Sequence, residues 1–96
     1  MTLRQQQSKF MRMLADLIIF AYDNGYELTG GDLYALTGHK KGSWHGKRLA
    51  IDLNLFKDGV YLETTEDHRP LGEFWENLGG TWGGRFKDGN HYSLGE

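Results

Sequence analysis

The chain has 96 residues, 39% hydrophobic and 14% aromatic, with a formal net charge of −2 and no cysteine. That length predicts a single domain, residues 1–96, with one modest core. The missing thiols exclude disulfides and cysteine metal ligands, and the weak acidity argues against a nucleic-acid or anionic-membrane surface, which needs a basic excess.

Residues 2–24 are predicted as one amphipathic helix: Thr2 and Gln5 fit a capping box, and Asn24-Gly25 supplies the stop. Phe10, Leu14, Leu17, Ile18 and Ala21 recur at helical spacing as its buried stripe, with Met11 and Met13 at the core's edge. The apolar run Leu17-Ile18-Ile19-Phe20-Ala21 is too short to cross a bilayer, and Asp16 and Asp23 flank it. Glu27 to Leu36 suggests a short strand or irregular extension, and Thr37 to Gly46 a loop. Leu49 to Phe56 alternates as a strand, with Ile51, Leu53 and Leu55 on one side and Ala50, Asp52, Asn54 and Phe56 on the other. Lys57-Asp58-Gly59 then turns the chain into a returning strand, Val60-Tyr61-Leu62. Pro70 is expected at the first position of a second helix through Leu71, Phe74, Trp75 and Leu78, ended by Gly79-Gly80. Trp82-Gly83-Gly84 reads as a turn and His91 to Leu94 as a final strand. The sum is an α+β fold, a long N-terminal helix packed on a small, mainly antiparallel sheet.

The residues with most chemistry are His45, Asp52, His91 and Asp88. Two imidazoles and one carboxylate are a sufficient ligand set for a catalytic Zn²⁺ that keeps a position open for water. Asp88, three residues before His91, is placed to handle that water's protons. Plainer readings stand beside this one. Asp52 fits an exposed strand face, His45 a loop, His91 an edge strand, and Asp88 a turn-capping residue. Seven residues separate His45 from Asp52, an odd number that puts them on opposite faces of a continuous strand, so a metal site requires the loop to bend back. His39 and His68 read as surface residues. Lys40, Lys41, Lys47 and Arg48 form a basic cluster that suits a solvated loop or a ligand-steering patch.

Ser43-x-His45 leading into Ala50-x-Asp52-Leu53, then Trp82-Gly83-Gly84 and Asp88-x-x-His91, resembles the zinc D-alanyl-D-alanine carboxypeptidase and L-alanyl-D-glutamate endopeptidase family, which includes bacteriophage endolysins of the Hedgehog/DD-peptidase fold. Arg48 through Gly59, and Arg69-Pro70-Leu71-Gly72-Glu73-Phe74-Trp75, resemble its small phage members. The resemblance implies that His45, Asp52 and His91 hold Zn²⁺, that Asp88 is the general base, and that Ser43 and Arg48 contact substrate. Two positions depart from the family pattern. Arg48 stands where the metal motif usually has Gly, and Ala35 where an Arg after the Tyr would hold a substrate carboxylate or the developing oxyanion.

The implied activity is hydrolysis of a peptidoglycan stem-peptide amide by a metallopeptidase of phage type, most simply between L-Ala and D-Glu. A D,D-carboxypeptidase is the near alternative, and Ala35 leaves open a catalytically weakened zinc-binding module. A metal-free structural protein is the remaining reading. The N-terminus shows no cationic region, apolar run and cleavage site, so no secretory signal is expected. The resulting expectations are a monomer in the host cytoplasm that reaches the wall after release, with no nucleic-acid partner and no membrane insertion.

Overall fold

The computed structural model describes residues 1–31 and 49–95. Helix α1, Leu3–Asp23, opens with the expected capping box: Gln5 N donates to Thr2 Oγ1 at 3.1 Å and Thr2 N to Gln5 Oε1 at 2.8 Å. It closes where the Asn24 side-chain amide donates to the Phe20 carbonyl at 2.8 Å. Phe10, Met13, Leu14, Leu17 and Ala21 form its buried face. Ile18, expected inside, is exposed instead. Met13 and Ile18 flank the stripe at similar angles on opposite sides, about 100° of turn being added per residue, and the helix rolls toward Met13.

Strand β2, Ala50–Lys57, is the spine of an antiparallel five-stranded sheet. β1, Tyr26–Gly30, pairs along it from Tyr26↔Lys57 to Gly30↔Leu53. β3, Val60–Leu62, returns through a turn in which Asp58 and Gly59 both have positive φ, a conformation that Asp-Gly supports. β5, His91–Ser93, pairs with the first half of β2, placing His91 opposite Asp52, and with β4, Thr81–Trp82, a short strand hidden in the expected glycine-rich turn. The fold is therefore α+β, as the alternation in the sequence predicts.

Helix α2, Thr65–Asn77, begins five residues before Pro70, which lies inside it. The start is fixed by a second capping box, in which Asp67 N donates to Thr64 Oγ1 and Thr64 N to an Asp67 carboxylate oxygen. Proline's missing N–H leaves only the Glu66 carbonyl without its helical donor, on an exposed first turn, so the helix runs through. The earlier start brings His68 onto the inner face. It is 2% exposed, not a surface residue, and its Nδ1 shares a 2.8 Å hydrogen bond with Tyr92 Oη.

Ile51, Leu53 and Leu55 turn to one side of the sheet and join Leu17, Phe10, Leu71, Trp75, Trp82 and Tyr92 in one core cluster. Fully burying a Leu or Phe side chain is worth about 1.5–3 kcal/mol, so this face fixes the strand's register. Asp52, Asn54 and Phe56, at alternate positions, face the other way and are only partly buried.

Candidate active site

The register Asp52↔His91 puts the two side chains on one face as direct cross-strand neighbours. The backbone also ties this corner together beyond the ladder, with Leu53 N donating to the Asn90 carbonyl at 2.9 Å. Asp52 Oδ1 and His91 Nδ1 lie 3.3 Å apart, with side chains 23% and 16% exposed. That separation is long for a charge-assisted hydrogen bond, typically about 2.7–2.9 Å. It matches the edge of a tetrahedron whose corners are about 2.0–2.1 Å from a central zinc, which works out at roughly 3.3 Å. The chemistry of the pair, one carboxylate oxygen and one imidazole nitrogen, also fits.

Asp88 sits in the turn before His91. The His91 N–H donates to the Asp88 carbonyl at 3.1 Å, closing the turn, and Asp88 N donates to the Gly83 carbonyl at 2.9 Å. The Asp88 side chain is exposed and makes no hydrogen bond or ion pair among the described residues, so the turn-capping reading of this carboxylate fails. Gly83, Phe86, Asp88 and His91 line an open cavity of about 300 Å³. Gly83 is there by steric necessity, since a Cβ on it would collide with the Asp88 carbonyl oxygen and the His91 Cβ.

This wall is held from behind by Trp82. Its ring is fully buried, its Nε1 donates to the Gly89 carbonyl at 2.8 Å, and the Arg69 and Arg85 guanidinium groups lie 5.5 and 5.2 Å from its ring. Gly72 of α2 leaves the space the ring occupies. Arg85 reaches on to Glu76 with two hydrogen bonds of 2.9 and 3.0 Å, fastening the 3-10 turn Gly83–Phe86 to α2. That contact holds the Glu76 carboxyl below its usual range.

The structure thus brings together three of the expected site residues, Asp52, Asp88 and His91. His45, Ser43, Arg48 and Ala35 lie outside the described residues. Among the described residues no group of three His, Cys, Asp or Glu is arranged to hold a metal, so a metal on the Asp52–His91 pair would need a further ligand from outside them. Phe86, 70% exposed at the rim, went unremarked in the sequence, where its only signal is an aromatic two residues before Asp88.

Comparison with known proteins gives one result. No curated protein matches the chain. A family model described as D-alanyl-D-alanine carboxypeptidase matches residues 37–94, which carry Asp52, Asp88 and His91 and the whole of β2 through β5. That span is more than half of the chain, which therefore belongs to the D-alanyl-D-alanine carboxypeptidase family of peptidases acting on peptidoglycan.

Proposed function

We propose that this protein is a zinc-dependent peptidoglycan hydrolase of phage endolysin type that cleaves the stem peptide between L-Ala and D-Glu. The observation that carries the reading is the 3.3 Å convergence of Asp52 Oδ1 and His91 Nδ1 beside a cavity lined by His91 and Asp88. Asp52, His91 and, from the segment outside the described residues, His45 would hold the ion. Bound Zn²⁺ supplies a Lewis acid for the scissile carbonyl and lowers the pKa of water toward about 7.

The chain's own groups do the rest. An Asp88 carboxylate oxygen takes the proton from the attacking water and returns it to the leaving amine nitrogen, so one carboxylate serves as base and then as acid. Among the described residues it makes no hydrogen bond that would compete with either transfer. The Phe86 ring gives the cavity an apolar wall suited to an alanyl methyl group. Ser43 and Arg48, both outside the described residues, would contact the substrate. The protein acts as a monomer, made in the host cytoplasm and meeting the wall after release.

A D,D-carboxypeptidase is the second reading, favoured by the description of the matching family. Digestion of purified peptidoglycan and defined muropeptides by the zinc-loaded protein separates the two. Products are read by mass spectrometry beside an Asp88→Ala control and a chelated sample. Scission after L-Ala, lost in both controls, is the expected result; release of one terminal D-Ala establishes the carboxypeptidase. No product from protein shown to contain zinc overturns both, and leaves a zinc-binding module disabled by Ala35.

A further inference from the structure

The face of β2 that carries Asp52 does not end at the cavity. Asn54 and Phe56 follow on the same side, one at each second residue, so Phe56 lies about 13 Å along the strand from Asp52. Each has a partner across the sheet. The Asn54 side-chain amide donates to Thr29 Oγ1 at 3.2 Å, and Phe56 stands opposite Tyr61 with ring centroids 5.3 Å apart at 41°. On the other side of Phe56 the register places Glu27, whose side chain is exposed. Tyr61 is 50% exposed although it carries a large ring.

This surface has a particular chemistry. Tyr61 is half exposed and the tilted Phe56 ring beside it partly so, and a carboxylate, a phenol hydroxyl and a side-chain amide lie on the same stretch of sheet. Ring faces pack against the apolar C–H face of a pyranose, while the neighbouring polar groups take up its hydroxyls and acetamido group. A peptide backbone alone would use the polar groups and leave the rings wet. The position along β2 also suits a sugar. If the bond cut is L-Ala–D-Glu, one alanyl residue and the lactyl ether separate it from the pyranose ring of N-acetylmuramic acid, a span on the order of 10 Å in extended form.

We infer that Phe56 and Tyr61 form a saccharide-binding platform that holds the N-acetylated glycan of the substrate on the same sheet face as the Asp52–His91 pair. The inference rests on the endopeptidase reading above for its choice of substrate. It makes this chain a reader of the glycan as well as the peptide, with specificity set by the β2–β3 hairpin.

The test uses two substrates with the same stem peptide. One carries the N-acetylglucosaminyl–N-acetylmuramyl disaccharide and the other only an N-acetyl group. The zinc-loaded protein should prefer the first by about tenfold in kcat/KM, the ratio that a single ring-stacking contact yields. Tyr61→Leu should bring that preference close to one, and Tyr61→Trp should keep it. In parallel, the disaccharide alone is titrated into metal-free ¹⁵N-labelled protein, where it should shift amide signals between Phe56 and Tyr61. If those signals stay still, or if Tyr61→Leu lowers only the melting temperature and leaves the preference intact, the rings are merely a cross-strand pair stabilising the hairpin and the platform is wrong. If neither substrate is cut but the disaccharide still shifts the hairpin signals, and does not in Tyr61→Leu, the platform stands and the endopeptidase reading falls.

Discussion

His68 and Tyr92 meet in the core through a 2.8 Å hydrogen bond, and Tyr92 is the residue that follows His91 in β5. Burial, partly offset by the nearby Asp67 carboxylate, holds the His68 imidazole below its usual pKa, and burial pushes the Tyr92 phenol up. Helix α2 thus reaches through the core, as a neutral imidazole, to the back of the strand that presents His91.

The sign of the resulting pH dependence follows from where each state binds the proton. The unfolded chain takes up a proton on His68 near pH ~6.5, while the native chain resists until lower pH. The stability due to this group is therefore complete above about pH 6.5 and declines as the pH falls below it, levelling off once the native His68 also protonates. Metal-free protein should lose melting temperature between about pH 7 and pH 5, and His68→Gln should flatten that slope while lowering the starting value. An unchanged slope in the variant would assign the acid sensitivity to other groups.

Zinc should raise the melting temperature by mass action, adding stability with the logarithm of its concentration over Kd, about 2.7 kcal/mol at one hundred times Kd. Asp52→Asn and His91→Ala should each abolish most of that increment while leaving the metal-free protein folded. Differential scanning calorimetry with and without a chelator checks this. Equal stabilisation in the Asp52 variant would remove it from the ligand set.

Gly83→Ala should be costly at a position that looks innocuous. The new methyl has to displace the Asp88 carbonyl or the His91 side chain, an overpacking penalty of about 1–3 kcal/mol. Hydrolysis should fall further than stability does, because the two residues displaced are the proposed base and a proposed ligand. Urea unfolding and muropeptide kinetics on the same sample separate the two effects; a variant with normal turnover would show that the wall tolerates movement.

Phe86→Ser removes an exposed ring and should leave stability within about 0.5 kcal/mol of the parent. Its effect should appear in KM, raised several-fold, with zinc affinity by equilibrium dialysis unaltered. A change in kcat alone would instead place the ring near the reacting atoms.

Most of the fold and part of the site were legible in the sequence, for physical reasons that differ by residue. The alternation Ile51, Leu53, Leu55 against Asp52, Asn54, Phe56 states which way each side chain points, and the structure agrees, because burying three apolar residues leaves no other register. The Thr2–Gln5 box likewise marks a helix start with two side chains in short range. Thr64–Asp67 marks another, but Pro70 is the louder signal and drew the start of α2 too late. His68 lies inside and not at the surface because the helix starts earlier, and its partner Tyr92 is 24 residues away, a distance at which spacing carries no information. The pairing of Asp52 with His91 is equally non-local: motif order proposed it, and only strand pairing places it. His45, Ser43 and Arg48 lie outside the described residues, so the ligand set and substrate contacts read from them stand as proposals.

The Asp52–His91 corner spans 39 residues of chain and is made by the pairing of β2 with β5. Neither strand carries both groups, and the hairpin and second helix lie between them in the chain. A partly synthesised chain, or one clipped anywhere between the two strands and allowed to separate, holds one half of the corner and is inert. Any activity that depends on this corner is thus tied to the pairing of β2 with β5 and is absent from either strand alone.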